Sequence, residues 1–126
     1  MVNKRISIKT TGLMIEATLN TTNTADAIWD LLPINGSCNI WGDEIYFSIP
    51  VYLSEEDSSS DLVETGNLAY WPPGNAFCIF FGQTPASNAD EVRAASPVNV
   101  FATIDGDEKL FRGVSSGALI EVSKIE

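Results

Sequence analysis

Histidine is missing from this sequence altogether. Its absence removes Ser–His and Cys–His nucleophilic catalysis, histidine general bases and every zinc site that uses an imidazole. Cysteine is scarce: Cys38 and Cys78 stand far apart with no CxxC spacing, which reads as two buried free thiols in a reducing compartment. Basic residues are few as well. Seven Lys and Arg against seventeen Asp and Glu leave a net charge of −10, and such a chain repels phosphate backbones, so no nucleic-acid partner is expected. The acidity either serves solubility alone or favours a cationic ligand. No apolar run approaches the roughly 20 residues that cross a bilayer, and the first ten residues lack the apolar centre of a signal peptide. No membrane association is expected, and the expected location is the cytoplasm. Asn20-Thr21-Thr22 and Asn35-Gly36-Ser37 match the glycosylation triplet but read as turns.

What is present suits one domain spanning residues 1–126, with 44% hydrophobic residues to build a core without disulfides or metal. Ile6 and Ile8 alternate with polar neighbours. After Thr11-Gly12, Leu13, Ile15, Ala17 and Leu19 do the same, which predicts a hairpin with one buried face. At Asn23 the period changes: Ala25, Ile28, Trp29 and Leu32 fall at helical spacing, with Asn23 as cap, Asp26 in the first turn and Pro33 as the stop. Trp29 then reads as a packing residue. Further strands are expected at Asn39 to Trp41, Glu44 to Ile49, Asn67 to Trp71, Ala76 to Phe81, Val98 to Ile104 and Ala118 to Ile125. Gly42-Asp43 and Asp105-Gly106 are turns, Glu108 to Phe111 is a short turn or strand, and Ser54 to Asp61 reads as a mobile surface loop. Many short strands, Gly-containing turns and a single short helix predict an all-β fold, a closed antiparallel barrel.

The segment Gly66 to Gly82 places Trp71, a Pro72-Pro73-Gly74-Asn75 turn and the run Ala76 to Phe81 side by side. Two adjacent prolines fix two φ angles and remove two donors, so Trp71 and Pro73 leave the strand on a rigid turn and form a candidate pocket wall. Trp41, Tyr46, Trp71, Phe77, Phe80 and Phe81 together offer the contact area that a small organic molecule or short peptide requires. Their other reading is core, which the shared face of Phe77, Ile79 and Phe81 favours for those residues. Phe80, alternating with them beside Cys78, is the better groove candidate. Glu44, next to Asp43, reads either as an exposed strand start or as a buried carboxylate with a raised pKa, acting as a base or anchoring an amine. Thr84 adds a hydroxyl without an activating base. Arg93 reads as the surface partner of Glu91, or as a cation closing the pocket on an anion. Asp105, Asp107 and Glu108 lack the full ligand series of a calcium loop. Neither a metal nor a cofactor is expected, and no residue pattern sets the oligomeric state.

Four stretches carry a resemblance: WGDEIYFSIP (Trp41 to Pro50), the Gly66 to Gly82 segment, TPAS (Thr84 to Ser87) and AASPVNV (Ala94 to Val100). With them the chain from Ile6 to Ile125 resembles the cyclophilin-like domain family of prokaryotes. The resemblance implies a minimal cyclophilin-type barrel. It also raises prolyl isomerisation, in which cyclophilins use an arginine that hydrogen-bonds near the prolyl nitrogen and so lowers a barrier of roughly 18–20 kcal/mol. The arginines here are Arg5, Arg93 and Arg112, none in the Cys38 to Ile49 hairpin where that arginine would fall, and the Phe-His-Arg motif is missing. The strand Ala76-Phe77-Cys78-Ile79 resembles the cyclophilin Gln-Phe-Phe-Ile strand and keeps the aromatic as Phe77, but not the Gln or the second Phe. The expectation is a cyclophilin-like binding protein with an aromatic groove and not an efficient isomerase. The alternatives are a weak isomerase, a carboxylate enzyme built on Glu44 with Tyr46, or a protein-interaction module.

Overall fold

The alternating N-terminal segments form β1 (Arg5–Thr10) and β2 (Leu13–Leu19), described in a computed structural model of residues 4–125. Thr11 and Gly12 connect them at φ of 45° and 80°, the pair of positive φ angles that a two-residue hairpin turn demands. Ile6, Ile8, Ile15, Ala17 and Leu19 all face inward. The helix α1 (Asn23–Leu31) follows, and its cap is Thr22 in place of Asn23: the Thr22 hydroxyl accepts the Ala25 N–H at 3.1 Å. Asn20 fixes Thr22 in turn by accepting from its N–H and its hydroxyl. Ala25 and Ile28 are buried, and Trp29 packs on the core with the Lys4 and Lys124 ammoniums 5.4 and 4.8 Å from its ring centroid.

The remaining strands are β3 (Ile34–Ser37), β4 (Asn39–Ile40), β5 (Glu44–Ser48), β6 (Ser60–Val63), β7 (Asn67–Trp71), β8 (Ala76–Phe80), β9 (Val92–Ile104) and β10 (Leu119–Ile125). All pair antiparallel in the order β3-β10-β1-β2-β9-β7-β8-β5-β4, with β6 added to β9. The fold is therefore dominated by one antiparallel sheet, but the sheet is not closed into a barrel. Its two ends, β3 and β4, are consecutive in the chain through Cys38 and share no ladder. Cys38 spends its backbone groups elsewhere, donating to the Ala118 carbonyl and accepting from the Gly117 N–H, both at 2.8 Å. Side chains fill the seam instead: a Cβ on Gly36 of β3 would lie 2.5 Å from the Phe47 ring of β5.

Strand replaces an expected turn or loop in three places, the first being Asn35-Gly36-Ser37, which pairs with β10 as part of β3 and is not a turn. β6 takes Ser60 and Asp61 out of the Ser54 to Asp61 loop, and β9 begins at Val92, ahead of Pro97. The rest of the loop is tied down: Glu56 receives the Thr24 N–H at 3.2 Å, its own N–H donates to Asn99 Oδ1 at 3.0 Å, and Asn99 Nδ2 donates to the Ser54 carbonyl. Asn99 is buried, so this clasp satisfies a polar side chain that would otherwise be costly there. Glu108–Gly113 is a 3-10 segment that buries Phe111, and β8 ends at Phe80, one residue short of the expected strand end.

Because successive strand residues face opposite ways, the β5-β8-β7-β9 region has two apolar faces. Ile45, Phe47, Phe77, Ile79, Leu68, Tyr70 and Phe101 enter the main core, where the Phe47 and Phe77 rings stack at 5.0 Å and Phe101 meets Phe77 edge-on at 5.2 Å. The opposite face carries Ala69, Ala76, Cys78 and Phe80, packed against Val92, Ala94 and Val98 from the first half of β9. A register shift between Leu68 and Ala69 in the β7–β9 ladder marks an irregularity in the pairing. That strand pairs with β7 and β2 through its second half and with β6 through its first.

Candidate functional site

Between the second face of the sheet and the first half of β9 lies a cavity of about 260 Å³. Trp41, Glu44, Tyr46 and Trp71 line one side of it, and Ala94, Ala95 and Val98 of β9 line the other. Local chain geometry brings these side chains together. Trp41 and Glu44 flank the Gly42-Asp43 turn and bond to each other through their backbones, Trp41 N–H to Glu44 carbonyl at 2.9 Å and the reverse at 3.2 Å. Gly42 sits at φ 61° with Pro85 and Thr84 close above it, so glycine is needed both for the angle and for the approach. The period of two then sets Tyr46 on the same face as Glu44, opposite Cys78 of β8.

Trp71 is fixed from three directions. It ends β7, and Pro72–Gly74 turns away from it as a 3-10 segment. Its ring folds back on Gly74, where a Cβ would meet ring carbons at 2.8 Å. Its indole N–H donates to Ser96 Oγ at 2.7 Å, tying the turn to β9 across the cavity.

Glu44 is only 6% exposed. Burial is the main reason its carboxyl is pushed up to about 7, and the Cys78 thiol facing it offsets part of the rise. Cys78 is itself buried, and burial together with the Glu44 charge pushes its thiol well above the ordinary range, so it stays protonated and is no nucleophile. Burial also raises the Cys38 thiol. None of the chain's seven basic residues lines the cavity. Arg93 is held by Glu91 at 2.6 Å and Asp61 at 2.5 Å, Arg5 pairs with Glu16 and Asp105, and Arg112 approaches Asp43 at 3.9 Å. The ion pair with Glu91 that the sequence suggests for Arg93 is thus present, with Asp61 as a second partner. Among the described residues no group of His, Cys, Asp and Glu is arranged to hold a metal ion.

Of the candidate residues, Trp41, Glu44, Tyr46 and Trp71 converge and the others do not. Phe77 points to the opposite face of β8 and is fully buried in the main core. Phe80 is on the cavity's side of the sheet, but it is sealed under Val92, Ala94 and their neighbours with no exposed surface. Pro73 is exposed at the tip of its turn and shapes the position of Trp71 without lining the cavity. Thr84 is buried for a local reason: its hydroxyl donates to the Arg93 carbonyl, and its N–H donates to Ser87 Oγ at 3.0 Å, which braces the loop beside Gly42. The cavity residues that sequence reasoning missed are Ala94, Ala95 and Val98, with Ser96 behind Trp71. The AASPVNV stretch contains them, but nothing local shows that β9 lies over the second face.

Comparison with known proteins adds the family. A family model described as cyclophilin-like matches residues 4–123. The chain belongs to the cyclophilin-like family. No curated protein matches it. Among solved structures, this cyclophilin-like protein is similar to the hypothetical protein AF2241 from Archaeoglobus fulgidus, with 40% identity and a TM-score of 0.82 over 98% of this chain and 96% of that one. It is also similar to McbB, whose structure is in complex with tryptophan, at 16% identity and a TM-score of 0.71 over 94% of this chain. The cyclophilin-like chain spans 44% of the McbB chain, and at that identity the likeness concerns the fold.

Proposed function

We propose that this cyclophilin-like protein binds a small organic molecule or short peptide in the cavity between Trp41, Tyr46, Trp71 and β9. The observation that carries the reading is the pairing of three half-buried aromatics with a buried carboxylate around one concave space. A site of that make-up, mostly apolar with one polar group, is the usual form of a small-ligand pocket. Trp71 is held in place before any ligand arrives, which lowers the ordering cost of binding. A protein sharing this fold, McbB, is known in complex with tryptophan, which supports a small-molecule role without naming the ligand here. No helix among the described residues is long and apolar enough to cross a membrane.

Prolyl isomerisation fits poorly. It needs a cation at the amide, and each arginine is engaged with carboxylates outside the cavity. A second reading keeps Glu44 as a general base beside Tyr46, because a carboxyl near 7 suits proton transfer at neutral pH.

The three tryptophans allow a direct test: a fragment library screened by the indole N–H resonances of ¹⁵N-labelled protein. Hits are expected to shift Trp41 and Trp71 and leave Trp29, which lies on α1 against the main core and two lysines, unmoved. Hits that move only Trp29, or no hits at all, would refute the pocket.

A further inference from the structure

The carboxylate in the cavity has no cation to answer it. Glu44 is more than nine-tenths buried, and among the described residues it forms no ion pair. The polar group facing it is the Cys78 thiol, a weak donor. Burying a carboxyl in this way is costly, and an aliphatic residue at the same strand position would pack without that cost. Three aromatic side chains, whose ring faces attract cations, line the same space, and the −10 net charge concentrates cations near the molecule. An anionic ligand would find only repulsion there, since no lysine or arginine reaches the cavity. A neutral apolar ligand would leave the carboxylate unpaired.

We infer that the cavity takes a small organic ammonium ion, a protonated or quaternary amine on an apolar body, with its charge beside Glu44 and its body against Trp41, Tyr46 and Trp71. This rests on the small-molecule reading and narrows it to one chemical class. The ammonium supplies the charge that the protein withholds, and the rings contribute cation–π attraction and apolar contact. Binding also draws the Glu44 carboxyl back towards ionisation, because an adjacent positive charge favours the anion. The other titratable groups on that side are Cys78 of β8 and Tyr46 of β5. β7 presents Trp71, and β9 presents Ala94, Ala95 and Val98, which carry no charge. Asp43 faces Gly82 and Arg112 instead.

Three probes that share a phenyl ring and differ in head group and charge decide the matter: trimethyl(2-phenylethyl)ammonium, 2-phenylethanol and phenylacetate, titrated against the Trp41 and Trp71 indole resonances. The ammonium is expected to bind at least about tenfold more tightly than the alcohol, with the anion weakest. Glu44→Gln should remove that gap, chiefly by weakening the ammonium. Because the quaternary amine does not titrate, its affinity for the unmodified protein should fall as pH is lowered from 8 to 5, and in Glu44→Gln it should stay level. Equal binding of the ammonium and the alcohol, or preference for the anion, with Trp41 and Trp71 responding, would overturn the ammonium class and leave the pocket standing. If none of the three probes moves those indoles at millimolar concentration, the ammonium inference fails, and the fragment screen decides separately whether the pocket reading falls with it.

Discussion

Glu44 couples its proposed binding role to a cost in stability. Its carboxyl ionises near 4.5 when solvated and near 7 in the folded protein, so between those values the native state holds a proton that the unfolded chain releases. Stability therefore declines as pH rises through that window, and above pH 7 the full cost, about 3 kcal/mol from a shift of this size, remains. Glu44→Gln lacks this pH dependence. Its stability relative to the unmodified protein should increase between pH 4.5 and 7 and then level off, as read from denaturant midpoints across pH; a gap independent of pH would show that Glu44 is solvated. The two aromatics Trp71 and Phe77 should part company in the same assay. Phe77→Ala empties a site in the main core and is expected to cost roughly 3–5 kcal/mol, whereas Trp71→Ala, on a half-buried ring, should cost far less and act on ligand affinity. Trp41, Tyr46 and Trp71 were legible as candidates because large aromatics stood next to turn residues. The sequence does not determine the burial of Glu44, since its period-two position shows which face it shares with Tyr46 but not whether that face is covered.

At the level of elements, the hairpin, the helix and strands β5, β7 and β8 follow from periodicity, although all five residues of β8 are buried, on both of its faces. The long-range elements do not. Pro97 makes the middle of β9 read as a break, and the polar run SEEDSSSD hides the start of β6. Those two strands pair with each other, and the first half of β9 gives the cavity its second wall. Phe80 departs from its expected place in the groove for the same reason: the alternation leaves the face it shares with Cys78 open, and the first half of β9 covers it. The turn after β7 supplies a sharper test. A Cβ at Gly74 would strike the Trp71 ring at 2.8 Å, so Gly74→Ala should displace that ring and shift its indole resonance. Ligand affinity should fall several-fold while the melting temperature changes little, because the clash falls on the half-buried Trp71 ring and not on a residue of the main core. An unshifted Trp71 indole would mean the ring does not rest on the turn.

For the molecule as a whole, the proposed function separates cyclophilin-like architecture from cyclophilin chemistry. The sheet shares the family's fold over residues 4–123, yet it stays open at the β3 and β4 seam and keeps its arginines in surface ion pairs. Acceleration of prolyl isomerisation in a standard peptide should accordingly be slight or absent in an NMR exchange assay, and a rate typical of cyclophilins that depends on Arg5, Arg93 or Arg112 would contradict this. What the molecule does offer is one preorganised aromatic cavity with a buried carboxylate in its wall. Crystals of the protein soaked with a chemically diverse fragment library test that claim most directly. Density for bound fragments should appear between Trp41, Tyr46, Trp71 and β9, with amines beside Glu44; fragments bound elsewhere while this cavity stays empty across the library would contradict the account.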